Sequence, residues 1–310
     1  MAPWCRLTAT PAVGYGFTGW SGDTTASTNP LPVPMIANKN LTATFTINSY
    51  TLNVATVGTG SVSKNPNQAT YTHGTLVQLT ATPGVGYTFA GWSGDTTATT
   101  NPLPVPMIAN KNLTATFTLN SYTLNVTTVG NGSVAKNPNQ ATYAHGTLVQ
   151  LTATPGTGYS FTGWSGDTTA TTNPLNVPMI ANKNITATFT INSYTLNVST
   201  VGSGSVAKNP NQATYTHGTI VQLTATPAVG YSFTGWSGDT VATTNPLPLP
   251  MIANRNLTAT FTINSYTLTL NTVGNGSVAK NPNQATYTHG TLVQITATPG
   301  TGLQLRGLER

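Results

Sequence analysis

Hydrophobic and polar residues alternate along most of this chain with a period of two. In LTATFTL (113–119), Leu113, Ala115, Phe117 and Leu119 fall on one side and three threonines on the other. TLVQLTATP (75–83) groups Val77, Leu79 and Ala81, and SYTLNV (49–54) alternates Tyr50, Leu52 and Val54 with polar residues. Runs this short with this period predict half-buried antiparallel strands. The Asn-Gly pair in VGNGSV (129–134) predicts a tight turn, and so a hairpin between the first two strands of that segment. NPNQ, TPGVG and TTNPLPVP, rich in proline and glycine, predict loops or sheet edges. No window of ten residues has helical periodicity. The pattern predicts an all-β protein with little or no helix.

The alternation is itself repeated. Trp20, Trp92, Trp164 and Trp236 recur at intervals of 72 residues, as do Tyr50, Tyr122, Tyr194 and Tyr266. Self-similarity at a fixed period is the mark of an array. The chain divides into a partial repeat 1–48, complete repeats 49–120, 121–192 and 193–264, and a truncated repeat 265–310. Each complete repeat opens on SYTL and closes on TFTLN or TFTIN, and is expected to hold five or six short strands. So small a domain needs its aromatic residues inside. Tyr50, Tyr71, Tyr87, Phe89, Trp92 and Phe117 are the candidate core of repeat 49–120. Gly91, just before Trp92, predicts a bulge that turns the indole inward. The joint TFTLN-SYTLN has almost no linker, which predicts neighbouring repeats held in a fixed, extended order.

The series YTLNV, GSV, YTHGTLVQLTATPGVGYTFAGWSGD, NPL, M and KNLTATF, read in that order through residues 50–117, resembles the divergent internalin-type B-repeat. The resemblance covers residues 7 to about 302 and is most specific in GY-x-F-x-GW-x-GD followed by a terminal TATF. It implies a compact β-rich fold related to the β-grasp, carried in tandem by bacterial surface and secreted proteins. It therefore implies an extracellular or cell-surface location. The sequence departs from the family where His73 and its equivalents replace a commonly acidic residue. It departs again at LPVP (103–106), where prolines interrupt an alternating strand and predict a broken or edge strand. The family offers no established catalytic residues to carry over.

Composition narrows the chemistry. Only 5% of the 310 residues are charged, yet 38% are apolar and the aromatic residues recur regularly, which marks a folded chain. The formal charge of +6 is dispersed. A repeat contributes two basic residues and one aspartate, as in Lys64, Lys111 and Asp95. Nucleic-acid binding needs a clustered basic face, and none is present. No apolar run approaches the roughly 20 residues that span a bilayer, so no membrane insertion is expected.

One His, one Asp and several Ser per repeat make the inventory of a catalytic triad. However, His73 in YTHGT and Asp95 in WSGDT both read as turn residues, the aspartate bonding its own local backbone. A repeat with one aspartate and no glutamate holds no carboxylate pair and too few oxygen ligands for calcium. His73, His145, His217 and His289 stand one per repeat, too dispersed for zinc. The GVG, GTG and GSG tripeptides open no helix, which weakens a phosphate-loop reading. The sequence thus predicts no enzyme, no catalytic or metal site and no cofactor. The Thr-x-Thr runs are good β-formers before they are a hydroxyl array for ice or polysaccharide. The N-x-T pattern at Asn40, Asn112, Asn184 and Asn256 matches a glycan acceptor, but in a chain that resembles a bacterial protein it is read as coincidence. The tyrosines are expected in the core rather than stacked on sugars.

The opening MAPWCRL contains the only cysteine, Cys5. Residues HGTLVQ precede LTATP at 73–78. Coded CAT GGC ACC CTG GTG CAG and read one base late, they give Met-Ala-Pro-Trp-Cys. An extra base before codons for YSFAGWSGD likewise gives LQLRGLER and a stop. Residues 1–6 and 303–310 are therefore read as out of frame within a longer array, so the lack of a signal-peptide pattern carries no weight. The expected function is a stalk or spacer of a bacterial cell-surface or secreted protein; the alternatives are a multivalent adhesin or carbohydrate-binding module for surface glycans and, second, a head-to-tail filament. In the filament, the strands of 265–302 complete the partial repeat 7–48 of another copy.

Overall fold

A computed structural model of the chain describes residues 4–302. The described residues contain strands, turns and no helix. Repeat 49–120 comprises β1 (Ser49–Tyr50), β2 (Leu52–Val57), β3 (Gly60–Asn65), β4 (Tyr71–Thr72), β5 (Leu76–Pro83), β6 (Tyr87–Gly94), β7 (Leu103–Pro106) and β8 (Lys111–Leu119). Six are longer than two residues; β1 and β4 only pair with each other. The same eight strands recur from Ser121 to Ile191 and from Ser193 to Ile263.

Two three-stranded sheets form the repeat, in the orders β6-β8-β2 and β7-β5-β3. Their inward faces close on Leu52, Tyr71, Val77, Leu79, Trp92, Val105, Met107, Leu113 and Phe117, all buried. The predicted aromatic core holds in graded form. Tyr71, Trp92 and Phe117 are buried, while Tyr50, Tyr87 and Phe89 are half-buried against them. Leu119 breaks the expected alternation: it lies beyond the packed part of β8 and is 47% exposed. The bulge is present, with the β6–β8 register shifting between Phe89 and Gly91. Trp92 thereby points inward and donates its indole N–H to the Thr100 carbonyl at 3.0 Å.

The predicted hairpin is corrected. β2 and β3 are consecutive but belong to opposite sheets: β2 lies beside β8, and β3 pairs with β5. Each strand has an apolar face, Leu52 with Val54 and Val62, and the two faces meet the core from opposite sides. The connection turns at Gly58 (φ 81°), where a Cβ would strike the Phe117 carbonyl. In VGNGSV the positive φ belongs to Gly130, not to the Asn-Gly pair. The strands are also not all antiparallel. β2 and β8 run parallel, from Lys111↔Leu52 to Thr116↔Val57.

LPVP is an edge strand, as its prolines predict. Leu103 and Val105 are buried and Pro104 and Pro106 are exposed. Met107, two residues beyond Val105, exchanges backbone bonds with Gly74 and Thr75 at 2.9 Å. Alternate residues thus face β5, and the prolines, lacking N–H groups, turn to the open edge. At the edge of the other sheet, Lys64 Nζ donates to the Leu52 carbonyl at 2.7 Å.

Two compact units are present. One holds the described residues through Asn125 with Lys136–Leu151 and Leu175–Asn184; the other holds Val126–Ala135, Thr152–Pro174 and the described residues from Ile185 onward. Of the residues read as out of frame, 1–3 and 303–310 lie outside the described residues. Trp4–Leu7 form a strand on Leu31–Pro34, with Cys5 opposite Val33 as Val77 is opposite Val105.

Candidate functional site

The polar residues singled out in the sequence have structural partners. The Asp95 carboxylate accepts the backbone N–H of Asn112 at 2.6 Å, and Asp95 N–H donates to the Asn112 carbonyl at 3.0 Å. Asp95 therefore pins the start of β8 rather than bonding only its own turn. Asp23 and Asp239 do the same for Asn40 and Asn256. The sequon residue Asn112 sits opposite Asn53 on β2 and accepts from its amide at 3.1 Å. Tyr71 is buried with its hydroxyl satisfied, donating to the Pro66 carbonyl and accepting from Gln68 N–H. Among the described residues, no three His, Cys, Asp or Glu side chains come together as a metal site would require.

His73 is in the predicted turn, closed by Thr75 N–H on the Thr72 carbonyl at 3.0 Å. Its larger role is at the joint between repeats. The ring packs beside Tyr50, with centroids 5.9 Å apart and the Tyr50 hydroxyl 3.4 Å from Nδ1. On its other side lies Gly14 of the preceding repeat, where a Cβ would overlap the imidazole. The joining residue Asn48 donates its N–H to the Gly14 carbonyl at 2.8 Å and accepts from His73 N–H at 2.9 Å. Gly86, Asn120 and His145 repeat this arrangement, as do Gly158, Asn192 and His217, and Gly230, Asn264 and His289. At Asn120 a further bond from Thr88 Oγ1, at 2.7 Å, holds the side chain. His73 and Asp95 thus serve different ends of the repeat's framework.

The joint was not predicted from residue chemistry, but a signal for it exists. Across repeats, the residue before this glycine varies (Val13, Val85, Thr157, Val229) while Gly14, Gly86, Gly158 and Gly230 do not. All four have φ between 78° and 81°, a region costly for other residues.

The family model of the divergent InlB B-repeat domain matches five successive segments, residues 4–49, 50–121, 122–193, 194–265 and 266–310. The chain belongs to the divergent InlB B-repeat family. Repeats of this family occur in surface proteins, and five in tandem make this a B-repeat array. The chain is also similar to a solved structure, the Bacillus anthracis TIE protein. That likeness has 8% identity and a TM-score of 0.34 over 83% of this chain and 67% of that one, too low to carry an argument. No helix among the described residues of this B-repeat array is long and apolar enough to cross a membrane.

Proposed function

We propose that the array is a non-catalytic spacer of a bacterial surface or secreted protein, which sets a distance between whatever flanks it. The observation that carries this reading is the use of polar side chains. His73, Asp95, Lys64 and Asn120 each bond within the repeat framework or across its joint, and the same roles recur in the later repeats. Each repeat therefore adds length and a joint without adding a reactive group. The test displays the array on a cell with a terminal fluorescent domain and varies the number of complete repeats. Reach that grows with each added repeat, with no change in retention on a glycan surface, supports the spacer. Retention that climbs with repeat number while reach has no effect makes it an adhesin instead.

A specific observation favours a second reading, self-association by strand complementation. Leu41–Ile47 pairs only with Tyr15–Gly22 among the described residues, and Phe45, the counterpart of buried Phe117, is 37% exposed. Cys5, Leu7, Val33, Met35 and Leu41, with Lys39, line an open and mostly apolar groove beside it. Residues 268–273 match β2 in sequence position but form no strand, and Val273 is fully exposed. A second copy's 268–273 would fill that groove as β2 does in a complete repeat. Light scattering that shows concentration-dependent growth, abolished by Leu270→Asp, supports it; a monomer at every concentration defeats it.

A further inference from the structure

In each complete repeat the first long strand lies beside the last. β2 and β8 run parallel for six residue pairs, and repeat 193–264 has the same ladder from Leu196↔Arg255 to Val201↔Thr260. Past the two-residue β1, the chain enters this sheet at the N-terminal end of β2 and leaves it at the C-terminal end of β8. A pull on the repeat through its own ends therefore drags two parallel neighbours in opposite directions along their length. Every ladder bond is then strained together, whereas strands peeled apart from one end break their bonds one at a time. Forced unfolding is governed by the unfolding barrier, and shear must break the ladder as a unit.

Side chains reinforce the same plane. Asn110 Oδ1 accepts from Thr51 N–H at 2.9 Å and lies 3.3 Å from its hydroxyl; Asn53 reaches Asn112 at 3.1 Å. In repeat 193–264 the rungs are Thr195–Asn254, Asn197–Asn256 and Ser199–Thr258, the last at 2.8 Å. These bonds tie the entering strand to the leaving one at successive heights. The load then passes onward without slack, because a single residue, Asn120, joins β8 to the next repeat and is itself bonded to Gly86 and His145.

We infer that each complete repeat is a shear clamp, so that the array bears tension along the chain as well as setting distance. This deepens the spacer reading and rests on it for its biological use. The clamp itself is a property of the β2–β8 pair. Its test is single-molecule pulling of the 310-residue chain in two geometries, in a Cys5→Ser background. Pulled by its ends, the chain is expected to give three abrupt events, one per complete repeat. Each should release up to roughly 240–260 Å, about 72 residues at ~3.3–3.6 Å apiece. Handles at Val57→Cys and Leu119→Cys, both exposed positions at the shared C-terminal end of β2 and β8, peel the same pair apart. Rupture in the end-pulled geometry is expected at several-fold higher force. Should that variant not fold, Val201→Cys with Ile263→Cys makes the same comparison in repeat 193–264. Equal forces in the two geometries, or end-pulling that extends the repeats without discrete events, overturns the clamp. Either result leaves the spacer reading standing, since reach on a cell is measured without load.

Discussion

Gly86 and His145 share one volume: a methyl group on the glycine's Cα would lie inside the imidazole of the next repeat. The glycine also holds φ at 78°, so two separate penalties attend its replacement. Gly74 has φ 83° with nothing within 4 Å of a Cβ, and supplies the control. Gly74→Ala is expected to cost about 1 kcal/mol from backbone strain alone. Gly86→Ala should cost about 2–3 kcal/mol, and His145→Ala should return the steric part of that loss but not the backbone part. Denaturant unfolding followed by indole fluorescence, arranged as a double-mutant cycle, measures the difference.

Met107 is fully buried in the core, just past the proline-interrupted strand 103–106. Met107→Ala is expected to destabilise its repeat by about 2–5 kcal/mol, while Met107→Leu costs under about 1.5 kcal/mol. Both follow from the same unfolding measurement.

Asn101 acts as a piece of strand. Its amide oxygen accepts from Ala81 N–H at 2.9 Å and its amide nitrogen donates to the Ala81 carbonyl at 2.7 Å. Asn101→Ala leaves both backbone groups beside the core unpaired, an expected loss of about 2–4 kcal/mol. Asn101→Asp keeps the acceptor but sets a carboxylate against a carbonyl, and should be no better. Amide exchange at Ala81, slow in the parent chain and fast in both variants, is the direct readout.

Lys64 covers the Leu52 carbonyl on the outer side of β2. Lys64→Met keeps the apolar stem and removes the donor, at an expected cost of about 1 kcal/mol. The exposed strand edge should then raise the rate of aggregation during refolding, read by turbidity, more than the stability change alone accounts for.

What could be read from the sequence was local. Alternation located β5 and β8, Gly91 announced the bulge before Trp92, and the prolines of 103–106 announced an edge. The partner of β2 could not be read this way. Leu52 meets Lys111 across 59 residues, and the same alternation would serve a parallel or an antiparallel neighbour. The apparent hairpin misled for that reason: the Asn-Gly of one repeat is Thr59-Gly60 in another, so the turn depends on the glycine before it, Gly130 or Gly58. His73 was correctly placed in a turn, but its second partner belongs to the preceding repeat, which no motif within a single repeat could disclose.

The joint also has a consequence for inheritance. Its two halves, the glycine that receives and the histidine that is received, are both carried by every complete repeat. Any repeat therefore offers a fitting tail to any successor and a fitting head to any predecessor. Unequal recombination that gains or loses whole 72-residue segments, such as 121–192, regenerates the same fastening at the new seam. A population can thus vary the length of the array without ever making a misfit junction.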